Sequence, residues 1–249
     1  MSKVKLNSGY TLIEIVVVIV IIGIITSITL KSLRSSNDIA RSEDTKKEMD
    51  RLAEAVAGRL DLKNGGAHTD YGYVGDIGAL PPNLDALFQN PGGFASWNGP
   101  YIRDDFSEDG GSAEFKKDAW GANYIYSGGT SITSSGDGTA ITRQIAASVD
   151  ELLYNRVILV ATDLDKTPPG PVYKDSLRFI LKYPDGTGGY IYNNRAPDRN
   201  GLSEFDSIPI GLHELQVIYL PENDTLTRRL NVDRGTDLYT EITLFKDVW

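Results

Sequence analysis

The chain opens on a basic leader that runs into Gly9-Tyr10-Thr11-Leu12-Ile13-Glu14 and then Ile15-Val16-Val17-Val18-Ile19-Val20-Ile21-Ile22-Gly23-Ile24-Ile25. The second stretch is apolar throughout, and a single acid, Glu14, sits at its edge. A charged side chain deep in a bilayer costs about 2.5–3.5 kcal/mol on insertion scales, so such a residue usually has a partner. Ile and Val are mediocre helix formers in water. In lipid, however, the backbone of a single span must satisfy itself, which leaves the helix. Tyr10 to Leu30 as a helix covers about 31 Å, one bilayer core.

The residues before the run set its orientation. Met1 to Gly9 carries Lys3 and Lys5 and no acid, and positive charge beside an apolar span holds that end in the cytoplasm. A secretory signal places its small-residue cleavage site after the apolar run. Here the small residue, Gly9, comes first, so cleavage at Gly9–Tyr10 would retain the helix. An uncleaved single-pass anchor and a conventional cleaved signal are the competing readings.

The combination of basic leader, Gly9, an aromatic, Thr11 to Glu14 and an apolar helix resembles the processing site of type IV prepilins and type II secretion pseudopilins. The resemblance implies that a prepilin peptidase cuts after Gly9 and methylates the new amine of Tyr10. It also implies that Glu14 pairs with the Tyr10 amine of a neighbouring subunit. Lys31 stands where many members carry proline. The implied partners are further copies in a homo-oligomeric filament, the peptidase, and an inner-membrane assembly platform with its ATPase. The chain is expected in the bacterial inner membrane before assembly and in a periplasmic or extracellular filament afterwards.

Composition narrows the function classes. The 249 residues are 41 % hydrophobic with a net charge of −9, which argues against nucleic acid, whose binders show basic patches. There is no cysteine and there are two histidines, His68 and His213. Disulfides, thiolate metal sites and a Cys nucleophile are therefore excluded. No nucleophile-elbow string accompanies the serines, and there is no P-loop. The expected reading is a non-enzyme without metal or cofactor.

Further along, Met49, Leu52, Ala53, Val56 and Leu60 form one stripe of a 3.6-residue period, with Lys46, Lys47, Asp50, Arg51 and Glu54 opposite. A continuous helix is expected from Tyr10 to Leu62, stopped by Asn64-Gly65-Gly66. Residues 77–87 predict a turn into a short helix near Pro81 and Pro82. Residues 117–126 alternate around a Gly turn, a hairpin signal. The Gly99-Pro100-Tyr101 and Asp118-Ala119-Trp120-Gly121 elements resemble the major pseudopilin head, where Pro is frequent at the position of Ala119. Trp97, Tyr101, Trp120 and Tyr124 read as core. Residues 134–138 offer one carboxylate, Asp137, too few for calcium, and 141–153 is expected to be helical.

From Asn155 the pattern becomes strand-like. Residues 156–161, 176–183, 189–192, 213–220, 226–232 and 239–245 read as strands between turn-rich breaks, the signature of a β-sandwich. Pro209 to Val217 resembles a step of carboxypeptidase regulatory-like, transthyretin-like sandwiches. Asp163-Leu164-Asp165 lacks the spacing of a calcium loop, and His213 is expected to face solvent.

The expected fold class is α+β. It comprises a leader (1–9), a transmembrane helix (10–35), an amphipathic helix with a small pseudopilin-like head (36–154) and an all-β sandwich (155–249). The expected function is a filament subunit of a type IV pilus-like or type II secretion pseudopilus system. The alternative is a minor or tip subunit whose sandwich binds a ligand, surface or protein.

Overall fold

The computed structural model describes residues 11–103, 114–245, 247 and 249. Gly9, Tyr10, Lys3 and Lys5 lie outside them. Helix α1 (Leu12–Ala57) has 46 residues and is about 70 Å long at 1.5 Å per residue. It stops five residues short of the expected Leu62. The cause is Gly58, whose φ of +79° favours glycine and where an added Cβ would lie 2.1 Å from the Asp70 carbonyl oxygen. Leu60 is consequently exposed rather than part of the stripe. Asn64-Gly65-Gly66 instead turns a two-residue hairpin, β1 (Lys63–Asn64) with β2 (Ala67–His68).

The C-terminal half of α1 is the spine of the head. Met49, Leu52, Ala53 and Val56 are buried against α2 (Gly72–Ile77) and the segment around the 3-10 turn Leu84–Leu87. Asn83 caps that turn through its side chain, which accepts from the Ala86 amide at 3.2 Å. Trp97 and Tyr101 are half-buried on this core and Tyr124 is buried in it. The Tyr124 hydroxyl donates to Glu48 at 2.8 Å. Trp120 is half-buried.

Residues 117–126 reverse at Gly121 as expected, but they make isolated bridges, Lys117 to Asn123 and Ile125 to Thr133, rather than two regular strands. The expected helix over 141–153 is corrected to strand β4 (Ile141–Gln144), paired with β3 (Ser131–Ser134), and a single turn α3 (Asp150–Leu153). The reason is local: Gly136 and Gly138 adopt positive φ and close a hairpin, so the apolar residues after it serve a ladder.

Seven strands follow: β5 (Asn155–Thr162), β6 (Leu177–Pro184), β7 (Tyr190–Arg195), β8 (Leu202–Ile208), β9 (Gly211–Tyr219), β10 (Asp224–Val232) and β11 (Asp237–Thr243), with a short α4 (Gly170–Tyr173) after β5. One sheet is ordered β10-β9-β6-β7 and the other β11-β5-β8. Alternate residues, among them Val157, Leu159, Phe179, Leu181, Phe205, Leu215 and Val217, point inward and form one buried cluster between the sheets. β8 is the strand that sequence reading passed over. Its Glu204 and Asp206 look like loop residues, yet Ser203 and Phe205, which alternate with them, are buried.

Head and sandwich are in contact. Ile210 belongs to the head's buried cluster, and its amide donates to the Leu152 carbonyl at 2.8 Å. The β10–β11 turn lies against the end of α1. Arg234 donates to the carbonyls of Ala57 (2.5 Å), Gly58 (3.3 Å) and Ile145 (3.0 Å).

Candidate functional site

At the start of α1, Thr11 is the N-cap and Glu14 the third helical residue. The Glu14 amide donates to Thr11 Oγ1 at 3.4 Å, and the Thr11 amide donates to Glu14 Oε2 at 3.3 Å. This reciprocal capping box satisfies two amides that a helix end leaves without partners. It also fixes the carboxylate over the end of the helix that faces the residues before it. Among the predicted site residues, Glu14 is the one the structure describes.

Beyond the cap, the apolar run has no covering. Large side chains from Leu12 to Leu33 are between 47 % and 83 % exposed, and the span is long and apolar enough to cross a membrane. Its few polar groups are satisfied locally. The hydroxyls of Thr26, Ser27 and Thr29 donate to the carbonyls of Ile22, Gly23 and Ile25 at 2.7–2.9 Å. Such back-bonding lets a hydroxyl reside in lipid or between packed helices. A Cβ added at Gly23 would meet nothing within 4 Å, so no contact among the described residues explains this glycine.

The other candidate residues have structural roles. Asp163 is buried and holds its turn by accepting from the Thr167 amide at 2.9 Å and hydroxyl at 3.0 Å. Asp118 accepts from the amides of Trp120 and Ala122 and from the Ser134 hydroxyl at 2.6 Å. No group of three His, Cys, Asp or Glu suited to a metal occurs among the described residues. His68 lies between oxygens, Nδ1 at 2.7 Å from Asp233 Oδ1 and Nε2 at 3.1 Å from the Leu60 carbonyl.

His213 corrects the expectation of a solvent-facing ring. It is 2 % exposed, its Nε2 donating to the Pro209 carbonyl at 2.7 Å. Burial pushes its pKa down to about 4, because the charged ring would lose its hydration. The strand begins at Gly211, two residues before the histidine, and that phase sends position 213 inward.

The N-terminal segment matches a known motif. Residues 4–30 match the prokaryotic N-terminal methylation motif. That motif implies a pilin- or pseudopilin-type subunit, processed by a prepilin peptidase and anchored in the membrane before filament assembly. Proteins of this type are structural rather than enzymatic. No curated protein matches the chain in sequence. Among solved structures, the Bacillus anthracis TIE protein is similar at 12 % identity with a TM-score of 0.30, over 49 % of this chain and 24 % of that one. The match thus spans about a quarter of that protein, and at this level it fixes neither fold nor function.

Arg234 is the residue that sequence reading missed. The last turn of α1 holds no basic residue, although a helix C-terminus favours a cation. That vacancy was the available signal. The residue that fills it lies 177 positions away.

Proposed function

We propose that this chain is a structural subunit of a type IV pilus-like or secretion pseudopilus filament, cut after Gly9 and assembled through its N-terminal helix. The observation that carries this reading is the bare apolar half of α1, which begins at a capped acid within the methylation motif. An apolar surface this large needs lipid before assembly and other subunits after it. Glu14 then pairs with the methylated Tyr10 amine of the next copy. Two opposite buried charges compensate each other, whereas either alone is costly. Residues 155–249 form a module, similar to carboxypeptidase regulatory-like sandwiches, carried on the head at the filament surface.

One measurement tests this. Intact mass of the chain extracted from assembled fibres is expected to lack Met1 to Gly9 and to carry one methyl group. A full-length mass would leave only an ordinary anchor.

A further inference from the structure

The two outer faces of the sandwich carry opposite charge. On the four-stranded sheet the register aligns Tyr192, Lys182, Glu214 and Arg229 across all four strands. Arg178 lies four residues before Lys182 on β6, so strand alternation puts it on the same face. On the sheet itself three cations thus stand against one carboxylate, with Asp76 of the head at the border of the same surface. The Lys182 ammonium rests 4.3 Å from the Tyr190 ring centre rather than on an acid.

On the three-stranded sheet, Glu204 is in line with Ile158 and Tyr239, and Glu241 with Val160. Asp206 and Asp237 complete four carboxylates. Two cations oppose them: Arg156, bound to Asp237 at 2.6 Å, and Lys166, bound to Glu241 at 2.8 Å. Among the described residues, Lys182, Arg178, Arg229, Glu204 and Asp206 form no salt bridge. Each face also offers apolar surface at its centre: Ile180 on the basic side, Ile158 and the exposed Tyr239 on the acidic side.

The outer faces of a two-sheet sandwich point in opposite directions. One copy can therefore meet a different neighbour on each side. A contact between two unlike patches is heterologous, and heterologous contacts that do not close generate open helical filaments. We propose that the basic outer face of one sandwich docks on the acidic outer face of the next copy of this chain, head to tail along the filament. The inference rests on the filament reading and adds a second subunit contact outside the helical core.

Size sets the regime. Three strands about 4.8 Å apart and six residues long give a face of roughly 15 by 20 Å. That is well below the ~800 Å² per partner of a stable complex. The faces therefore join only where packed helices hold copies at high effective concentration.

Because the chain has no cysteine, the contact can be tested by cross-linking. A chain carrying both Lys182→Cys and Glu204→Cys, treated with a short bis-maleimide in assembled fibres, is expected to give a ladder at multiples of the chain mass. The same chain dispersed in detergent should give none, and neither should fibres with either single substitution. Reversing one face (Lys182→Glu with Arg229→Glu) is expected to cut fibre yield after shearing at least fivefold. Adding Glu204→Lys and Asp206→Lys in the same chain should restore it, which also shows that the substituted chain folds.

Normal fibres without a ladder, or a ladder from one single substitution, overturn the head-to-tail contact and leave the filament reading standing. Cross-links whose mass is not a multiple of the chain overturn the choice of a second copy as occupant. Failure of the unmodified chain to form fibres overturns both.

Discussion

The two halves of α1 have opposite relations to the rest of the chain. From Asp44 to Ala57 the helix is amphipathic: Met49, Leu52 and Val56 are fully buried on the head, while charges such as the Asp44–Lys47 pair face solvent. From Ile15 to Ile25 it is apolar on every side and, among the described residues, is left exposed. A helix that is apolar all round has to be buried, and one with a single apolar stripe needs one surface. The head supplies that surface for the second half. The first half is left to material outside the head, and the proposed assembly role rests on this difference.

The sharpest way to break the comparison is at Glu14. Glu14→Val removes both the charge and the capping box, so its failure would be ambiguous. Glu14→Gln separates the two, since Gln also serves in a capping box. The expected outcome is that Glu14→Gln inserts in the membrane normally and yields no ordered fibres, scored by electron microscopy of sheared material. Normal fibres from Glu14→Gln would end the charge-pairing account and leave only a capping role.

Stability should divide along the same line. Leu52→Ala opens a cavity under the head and is expected to cost about 2–5 kcal/mol, read as a lowered melting temperature of the detergent-solubilised chain. Ile19→Ala, in the bare half, is expected to leave that melting temperature unchanged. Equal losses from both would mean that the two halves are not independent.

A third test lies at the junction of head and sandwich. His213 is buried neutral, with its pKa pushed from 6.5 down to about 4. Between those values the unfolded chain binds a proton that the folded chain refuses, so stability rises with pH across this window. The contribution is fully present above about pH 6.5 and is lost as pH falls towards 4. Its size is on the order of 3 kcal/mol. Melting curves from pH 7 to pH 4 should show this decline. His213→Gln, which can still donate to the Pro209 carbonyl, should flatten it.

Those contrasts also explain what the sequence could convey. The apolar run, the stripe through Met49, Leu52 and Val56, and six of the seven sandwich strands follow from period, which is local. β8 is hard to read because its outward residues are Glu204 and Asp206, its inward Ser203 is polar, and the run from Phe205 to the buried Ile208 breaks strict alternation. The helix over 141–153 was misjudged because Ile145 and Leu152 fit a helical stripe as well as they fit a strand end and a separate turn. The end of α1 was placed late because Gly58 is required by the Asp70 carbonyl, a contact that period does not encode. Of the candidate site, Glu14 stands out by its cost in an apolar run. The charge on the sandwich faces needed the strand register.

Arg234 is the least legible of these features and gives the smallest effect. Its guanidinium serves three carbonyls, two of them at the end of α1, and burial lowers its pKa while nearby Glu151 opposes the shift. A helix end has unpaired carbonyls and a partial negative charge, so the sandwich supplies the cation that the helix lacks. Arg234→Ala leaves these carbonyls without that donor and should cost about 1–3 kcal/mol. Because the contact spans the two halves of the protein, the loss has a second signature. Limited proteolysis should become faster near Gly58 and at 231–236, with the inner strands of the sandwich still protected. Arg234→Lys keeps the charge but cannot reach three carbonyls with a planar fork, so it should recover only part of the loss. If Arg234→Ala lowers stability without changing cleavage near Gly58, the residue is merely well packed and does not tie the sandwich to the helix.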